Sequence, residues 1–470
     1  MARATRPRVP SSRQRPSGRP RKIVEPAIAP SRVVSANVTR RLGGGGRARS
    51  LGKPNTVGCA ARVRDSPAVS APPAASQTPS GPVPARSNVT TMGWAAFWSG
   101  MAQEMIYPLL PIFLIVALSS SKTALGTVEG LLGVGVTIAR LVSGRAMDRG
   151  RSPLLLTRIS YGLSLAARPL IALAPTVGVV ALLRVADGLG KGGKDAPKAV
   201  LVAADADGAR MGRAFGIQTL LDTLGSVAGP LVAGLILLVA GHGESGLRIC
   251  FALAAIPAIG AVRQLARAHD TLVPARHEHG PRASLGRPFR VLLVAVLLFG
   301  LANSSDTLLL LRARSAGLSA ADLAFLFAAF NLVYALMAVP IGALSDRVGR
   351  RPLLFVAWTV YVGVYIGFAF ASQAWTLVAL FLAYGIFYAA NDGVVKAWIT
   401  SLVPPDRRGQ AFALNAAASG LLLLPASVIA GGLWDRSGPR AAFLFGAATA
   451  ALALAVVALA PALRGRRAGL

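Results

Sequence analysis

The chain has 470 residues, of which 53% are hydrophobic and 15% charged, and its mean hydropathy is +0.55. Too few polar residues remain to cover a soluble protein of this length, so the composition indicates an integral membrane protein. The net charge of +31 does not indicate nucleic-acid binding, because the basic residues lie in a long N-terminal segment and in short loops between apolar stretches.

The N-terminal segment, residues 1–91, is rich in Arg, Pro, Ser and Gly and contains only Glu25 and Asp65 as acids. Such a composition buries too little apolar surface to fold, so we predict a disordered basic segment. It has no apolar run long enough for a signal peptide. Three explanations stay open: a cytoplasmic tail against anionic lipid, an organellar transit peptide, or sequence upstream of a true start at Met92.

Beyond this segment, apolar stretches of about 20 residues recur with short polar connections, which is the length of a helix that crosses a bilayer. Twelve such stretches predict an all-α membrane protein. The domains are a six-helix half over 92–266, a central loop over 267–287, a second half over 288–464 and a short basic tail over 465–470. The predicted helical cores are 94–118, 124–146, 153–174, 176–202, 213–238, 246–266, 288–312, 321–344, 352–371, 374–402, 409–433 and 439–462.

The basic loops all fall on one side of this arrangement. The second and third helices are joined by GRAMDRGRSP, and the eighth and ninth by SDRVGRRP. The central loop and its flanks add five more basic residues: Arg263, Arg267, Arg276, Arg282 and Arg287. Because lysine and arginine accumulate on the cytoplasmic side, we predict a multi-pass plasma (inner) membrane protein with both termini in the cytoplasm. We expect a monomer in the lipid bilayer.

One of these loops repeats. GRAMDRGRSPLL begins at Gly144 and GALSDRVGRRPLL at Gly342, and GRAF at Gly212 recurs as GQAF at Gly409. Two pseudo-symmetric halves follow, and such halves commonly enclose a substrate path that opens alternately to either side. The repeat therefore predicts a transporter.

These residues resemble the major facilitator superfamily over roughly Trp94 to Arg464. The resemblance implies gating loops at Gly144, Asp148, Arg149, Gly342, Asp346, Arg347, Gly349 and Arg350. It associates Arg184 in the fourth helix with proton coupling. It also implies an antiporter-like motif in the fifth helix at Gly216, Gly225, Gly229, Pro230 and Gly234. EMIYPLLPIF and GKGGKDAPKA are similar to a bacterial subgroup of poorly defined substrate.

The stretch GLGKGGK, from Gly188 to Lys194, fits the first seven positions of a phosphate-binding loop. That loop needs a strand before it and a hydroxyl after the lysine, whereas this stretch lies inside a spanning helix and is followed by Asp195. We therefore expect no nucleotide site. Two cysteines and four scattered histidines likewise predict neither a metal nor another cofactor.

The same stretch carries a charged stripe. Successive spacings of three and four residues place its members on one face of the helix: Arg184, Asp187, Lys191, Lys194 and Lys198. Ions that face lipid near the bilayer centre cost about 2.5 to 3.5 kcal/mol each, so the stripe must face water or partners. For Lys194 and Lys198, anchoring at lipid headgroups is the alternative. The glycines behind the stripe predict close approach of a neighbouring helix.

Acidic residues also lie inside the apolar segments, and each needs an ionic partner or a bound proton. They are Glu104, Asp187, Asp222, Asp306 and Asp392. Proton coupling is one role for them. The alternative is a permanent ion pair, for example of Asp187 with Lys191 or of Asp392 with Lys396. Glu129, near the outer end of the second helix, is predicted to be an ordinary rim residue.

These features together predict a secondary active transporter that moves a small organic solute by alternating access, as a proton-coupled exporter. Proton-coupled uptake or facilitated passage of an organic anion is the alternative that the positive stripe favours. A membrane sensor, or an enzyme on a transporter scaffold, is a third class. We expect no catalytic activity, because the sequence shows no paired nucleophile and base.

Overall fold

The computed structural model describes residues 87–206, 211–270, 285–404 and 407–463. Within these ranges the chain forms twelve helical segments. The N-terminal half contains α1 Asn88–Ala117, α2 Lys122–Asp148, α3 Pro153–Leu170, α4 Val177–Asp205, α5 Met211–Ala240 and α6 Glu244–Ala266. The C-terminal half contains α7 Arg287–Ser315, α8 Ala320–Val348, α9 Arg350–Phe370, α10 Ala374–Leu402, α11 Arg408–Ser437 and α12 Pro439–Leu459.

The twelve predicted membrane helices are thus confirmed as helical segments, and ten of them are long and apolar enough to span a bilayer by themselves. The other two are α3 and α4. Helix α3 contains Arg158 and Arg168, and α4 contains the charged stripe. Such helices are stable at membrane depth only when neighbouring helices enclose their polar faces.

The start of α1 corrects the predicted boundary at residue 91. The helix begins at Asn88, and the Ser87 side chain caps it by accepting from the backbone N–H of Val89. The Ser87 hydroxyl and the Asn88 backbone N–H donate to Asp205, at 2.7 and 2.6 Å. Residues 88–91 therefore belong to the helical bundle. Residues 1–86, Arg276 and Arg282 of the central loop, and the tail after residue 463 lie outside the described residues.

Helices α1 and α7 are irregular, and the latter was predicted to be continuous over 288–312. In α1 the prolines Pro108 and Pro111 coincide with a tight 3-10 turn at Tyr107–Leu109 and a π-helical turn at Phe113–Ala117. In α7 the helix stops at Ala302 and resumes at Thr307. Serine and asparagine side chains compete for backbone groups, which explains a break at the sequence NSSD.

The two halves meet along α2–α11 and α5–α8. Glycines bring α2 and α11 into backbone contact, since a Cβ at Gly126 would meet the Ser427 carbonyl and one at Gly130 the Leu424 backbone. Between α5 and α8, the Asn331 amide donates to the Ser226 carbonyl at 2.9 Å. These contacts lie in the parts of the helices remote from the α2–α3 and α8–α9 connections. We call that side the far side and the opposite one the loop side.

On the loop side the same helices diverge. Leu220 of α5 and Leu336 of α8 are 59% and 60% exposed there, and a Cβ at Gly216 or Gly342 would meet nothing within 4 Å. The bundle is therefore closed on the far side and open on the loop side. With the predicted orientation this is an inward-facing state.

A polar contact completes the closure. The Asp435 carboxylate of α11 accepts from the backbone N–H groups of Lys122 and Thr123 in α2, at 3.1 and 2.8 Å. It also accepts from the Thr123 hydroxyl at 2.7 Å. A carboxylate at a helix N-terminus satisfies unpaired donors and interacts favourably with the helix dipole. Asp435 thus links the halves at the far side.

Candidate functional site

A cavity lies between the two halves, and it has two adjoining parts. The deep part, of about 310 Å³, lies toward the far side, and the wide part, of about 430 Å³, lies toward the loop side. Both are lined by Leu132, Lys191, Asn303, Tyr388 and Leu423. Cavities of this size hold small organic molecules.

The GLGKGGK stretch lies inside α4, as predicted, and its glycines position the charged residues. A Cβ at Gly188 or Gly192 would meet backbone carbonyls of α2, and one at Gly190 would meet Ser160 of α3. Only glycine allows both neighbours to approach α4 this closely. The predicted close approach is confirmed, and it holds the stripe at a fixed depth.

Deep in the N-terminal half, four ionic side chains form one buried network. Arg184 contacts Glu129 at 2.8 Å and Asp187 at 3.1 Å, and Arg168 contacts Asp187 at 2.9 Å. All four side chains are at most 3% exposed. Two positive and two negative charges cancel, so the network is a neutral cluster. It ties α2, α3 and α4 together.

This network corrects two predictions. Glu129 is not a rim residue, because it is 2% exposed and paired with Arg184. Asp187 is in an ion pair, as in the alternative, but its partners are Arg168 and Arg184 rather than Lys191. Sequence analysis missed Arg168 altogether. An arginine inside the apolar third segment was the available signal, since ionisable residues at membrane depth require a partner.

The predicted stripe divides into two environments. Lys191 lines both parts of the cavity and forms no hydrogen bond or ion pair with the described residues. Lys194 instead points into the N-terminal half, where its Nζ donates to the Ser99 hydroxyl at 3.2 Å and lies 4.3 Å from the centre of the Tyr161 ring. Lys198 is half-buried. Lys191 is therefore the stripe residue that a solute in the cavity would meet.

Two carboxylates face the deep part without a counter-ion. The Glu104 side chain accepts a hydrogen bond from the Gln103 amide at 2.7 Å through Oε1, while its buried Oε2 has no partner. The Asp306 carboxylate accepts from the Tyr384 hydroxyl at 2.6 Å. Among the described residues, no lysine, arginine or histidine lies within ion-pair distance of either carboxylate.

The other predicted acids differ from these two. Asp392 pairs with Lys396 at 2.8 Å and lines the wide part, as the ion-pair alternative proposed. Asp222 of α5 is exposed, and its carboxylate pairs with no basic residue of the described chain. A further pair at the wide part joins Arg140 to Asp195 at 2.5 Å.

The residues of the gating loops and of the fifth helix lie apart from the cavity. Asp148, Arg149, Asp346 and Arg347 are exposed on the loop side and form no ion pair within the described ranges. In α5, Gly225 and Gly229 pack on α1, at Phe97 and Met101, while Gly234 packs on the Phe325 ring of α8; Gly216 has open space. The gating roles of these residues stay predictions.

Comparison with known proteins identifies relatives over most of the chain. The model of the Major Facilitator Superfamily matches residues 92–312 and 291–468. An uncharacterized MFS-type transporter of Methanocaldococcus jannaschii is 28% identical over 372 residues, covering 77% of this chain and 92% of that protein. The multidrug resistance protein MdtG of Salmonella dublin is 27% identical over 339 residues, covering 68% and 81%. A bacterial homolog of the human lysosomal transporter Spinster, solved inward-facing and occupied, aligns with a TM-score of 0.66 at 16% identity, covering 79% and 95%.

Proposed function

Because the chain belongs to the major facilitator superfamily, we propose that it is a proton-coupled secondary transporter that exports a small organic solute by alternating access. The family moves small molecules across membranes and is not enzymatic. The observation that carries the proposal is the pair of carboxylates, Glu104 and Asp306, that face the deep cavity without a counter-ion.

Such carboxylates suit proton coupling for an electrostatic reason. A carboxylate that is ionised at membrane depth without a partner is costly, so it binds a proton unless water or a cation compensates it. When the halves rock, the exposure of the deep part to water changes sides. Glu104 and Asp306 can then bind a proton on one side and release it on the other. The Arg184 network, already neutral, has no comparable reason to exchange protons.

The walls of the cavity support an amphipathic organic solute. Phe327, Phe330 and Tyr388 supply aromatic surface to the deep part, and Asn303 and Asn331 supply amides. Apolar walls with a few placed polar groups are typical of small-molecule sites. Export is supported by the similarity to MdtG, which is named as a multidrug resistance protein, and by the glycine pattern of α5.

Lys191 favours a second candidate, proton-coupled uptake of an organic anion. Its ammonium group is the unpaired positive charge of the cavity within the described residues. Protonation of Glu104 or Asp306 would remove a negative charge and strengthen binding of an anion at Lys191. Because such coupling is reciprocal, an anion and a proton would travel together, whereas a cation would compete with protons and exchange for them.

Reconstitution of the purified full chain into liposomes with an imposed pH gradient tests the proposal. The solutes are aromatic compounds of similar size that are neutral, cationic or anionic. We expect the gradient to drive one class against its concentration gradient, and Glu104→Gln to abolish the accumulation. Glu244→Gln is the matched control, because Glu244 pairs with Arg248 at the surface. Transport that ignores the gradient, or that survives Glu104→Gln, would contradict proton coupling.

A further inference from the structure

The break in α7 leaves backbone oxygens without an intrahelical hydrogen-bond donor. Between Ala302 and Thr307 the chain leaves the helix, and the Ser305 N–H donates to the Ser427 hydroxyl at 3.0 Å instead of to its own helix. No group of the described chain donates a hydrogen bond to the carbonyls of Asn303 and Ser304. Unpaired carbonyls in a spanning segment are tolerated where they line a cavity or bind a cation.

Side-chain oxygens gather at the same break. The Tyr384 hydroxyl lies 2.6 Å from an Asp306 carboxylate oxygen and 3.2 Å from the Asn303 amide oxygen, so both acceptors surround one hydroxyl. The Asp306 side chain does not cap the helix that follows it. Asn303, Ser304, Ser305 and Asp306 all line the deep cavity.

The electrostatics of the break favour a cation of single charge. The helix that ends at Ala302 directs the negative end of its dipole toward the break, and Asp306 adds one full negative charge. Lys191, which lines the same cavity, opposes an ion of higher charge. Oxygen donors alone, without nitrogen or sulfur, suit hard cations.

We propose that the α7 break binds a sodium ion, held by the Asp306 carboxylate, the Asn303 amide oxygen and the carbonyls of Asn303 and Ser304. This inference deepens the proposed function, because sodium becomes a second coupling ion in the same cavity. Sodium and a proton then compete for Asp306, and while sodium occupies the site Glu104 is the carboxylate that carries the proton. The sequence predicted no metal, because backbone carbonyls leave no mark in a sequence.

Equilibrium binding of radioactive sodium to the purified full chain in detergent, without any solute, tests the site. We expect saturable binding that excess unlabelled sodium displaces and that choline or potassium displaces at least about tenfold more weakly. Asp306→Asn should weaken the affinity by about 10-fold or more, which is the loss typical of a perturbed metal site. Asn303→Ala should weaken it less. Glu244→Gln, which removes the same charge at the protein surface, should keep wild-type affinity.

Three results would overturn the site. The first is that the wild-type chain shows no saturable sodium binding. The second is that potassium and choline displace the bound sodium as well as unlabelled sodium does. The third is that a folded Asp306→Asn chain keeps the wild-type affinity for sodium. If Asp306→Asn does not elute as a monodisperse species, Asn303→Ala with unchanged affinity contradicts the assignment in its place. The sodium-binding assay contains no solute, so its result does not depend on the transport assay. A chain that binds sodium but whose solute transport does not respond to a pH gradient would contradict the proposed proton coupling and would still support the sodium site.

Discussion

The two halves of the bundle share one fold but differ in what they bury. The N-terminal half encloses ions, with Arg168 and Arg184 paired to Asp187 and Glu129. The C-terminal half encloses aromatic rings, since Trp358 stacks on Phe299 at 4.4 Å and Tyr361 on Tyr365 at 4.1 Å, with Tyr384 and Phe387 beside them. A repeat of loops and helix lengths therefore preserves architecture without preserving interior chemistry.

This difference between the halves indicates where ionisable groups that gain and lose a proton or an ionic partner can lie. The four ions of the buried network in the N-terminal half neutralise one another. Three charges without an ion-pair partner among the described residues, Lys191, Glu104 and Asp306, face the cavity where the halves meet. A group that must gain and lose a partner during transport cannot already be satisfied within its own half.

The largest effect is expected from breaking the ionic network. Arg168→Met leaves Asp187 with one arginine and leaves buried acceptors at Ser99 and Gln103 without their donor. Loss of one member of a buried ion pair costs about 3 to 5 kcal/mol. Thermal unfolding in detergent should show a large fall in midpoint. Arg145→Met, an exposed arginine, is the control and should change little; equal stability of the two variants would mean that the network does not hold the half together.

The next prediction separates the unpaired lysine from that network. Lys191→Gln should leave the unfolding midpoint unchanged, because Lys191 forms no ion pair with the residues that the structure describes. A charge-assisted contact to an anionic solute is worth about 1.5 to 3 kcal/mol, so uptake of an anion should fall by about 10- to 100-fold. Transport of a neutral analogue measures the control rate. If the solute is a lipophilic cation and Lys191→Gln leaves its transport intact, the anion candidate is excluded.

Helix contact in the N-terminal half is tested by adding a methyl group. Gly192→Ala places a Cβ against the Val136 carbonyl of α2, so the helices must separate. Overpacking of this kind costs about 1 to 3 kcal/mol. The matched control is Gly216→Ala in α5, where a Cβ meets nothing within 4 Å. Size-exclusion profiles and unfolding midpoints compare the two, and a Gly192→Ala chain as stable as the control would argue against tight packing at α4.

The smallest expected effect concerns the contact between the halves. Asp435→Asn keeps the shape but removes the charge at the α2 N-terminus, which is worth about 0.3 to 1 kcal/mol. The far side should then open more often, and a cysteine at Ser419, which is exposed and lines the wide part of the cavity, should be labelled more slowly by a water-soluble maleimide. Cys59 and Cys250 are replaced by serine in both chains that are compared. Faster labelling of the Asp435→Asn chain would show that Asp435 instead favours the state that is closed on the loop side.

The sequence by itself determined the membrane class, the twelve helices and the two halves. Hydropathy and the loop repeat of Gly144 and Gly342 are properties of contiguous residues, and a bilayer leaves few structures for such segments. The glycine stretch of α4 lies inside a helix, as the sequence predicted. Glu104, Lys191 and Asp306 were named as site residues, and their roles stay predictions.

Only the tertiary structure decided which charges meet. Asp187 has Lys191 one turn away on its own helix, yet it pairs with Arg168 of α3. Glu129 was predicted to be a rim residue from its place near the outer end of the second helix, whereas it pairs with Arg184 of α4. The α7 break likewise depends on Ser427 of a remote helix. Pairing at membrane depth is set by which helix faces converge, since each polar group must find a partner in three dimensions, and a linear pattern does not record that convergence.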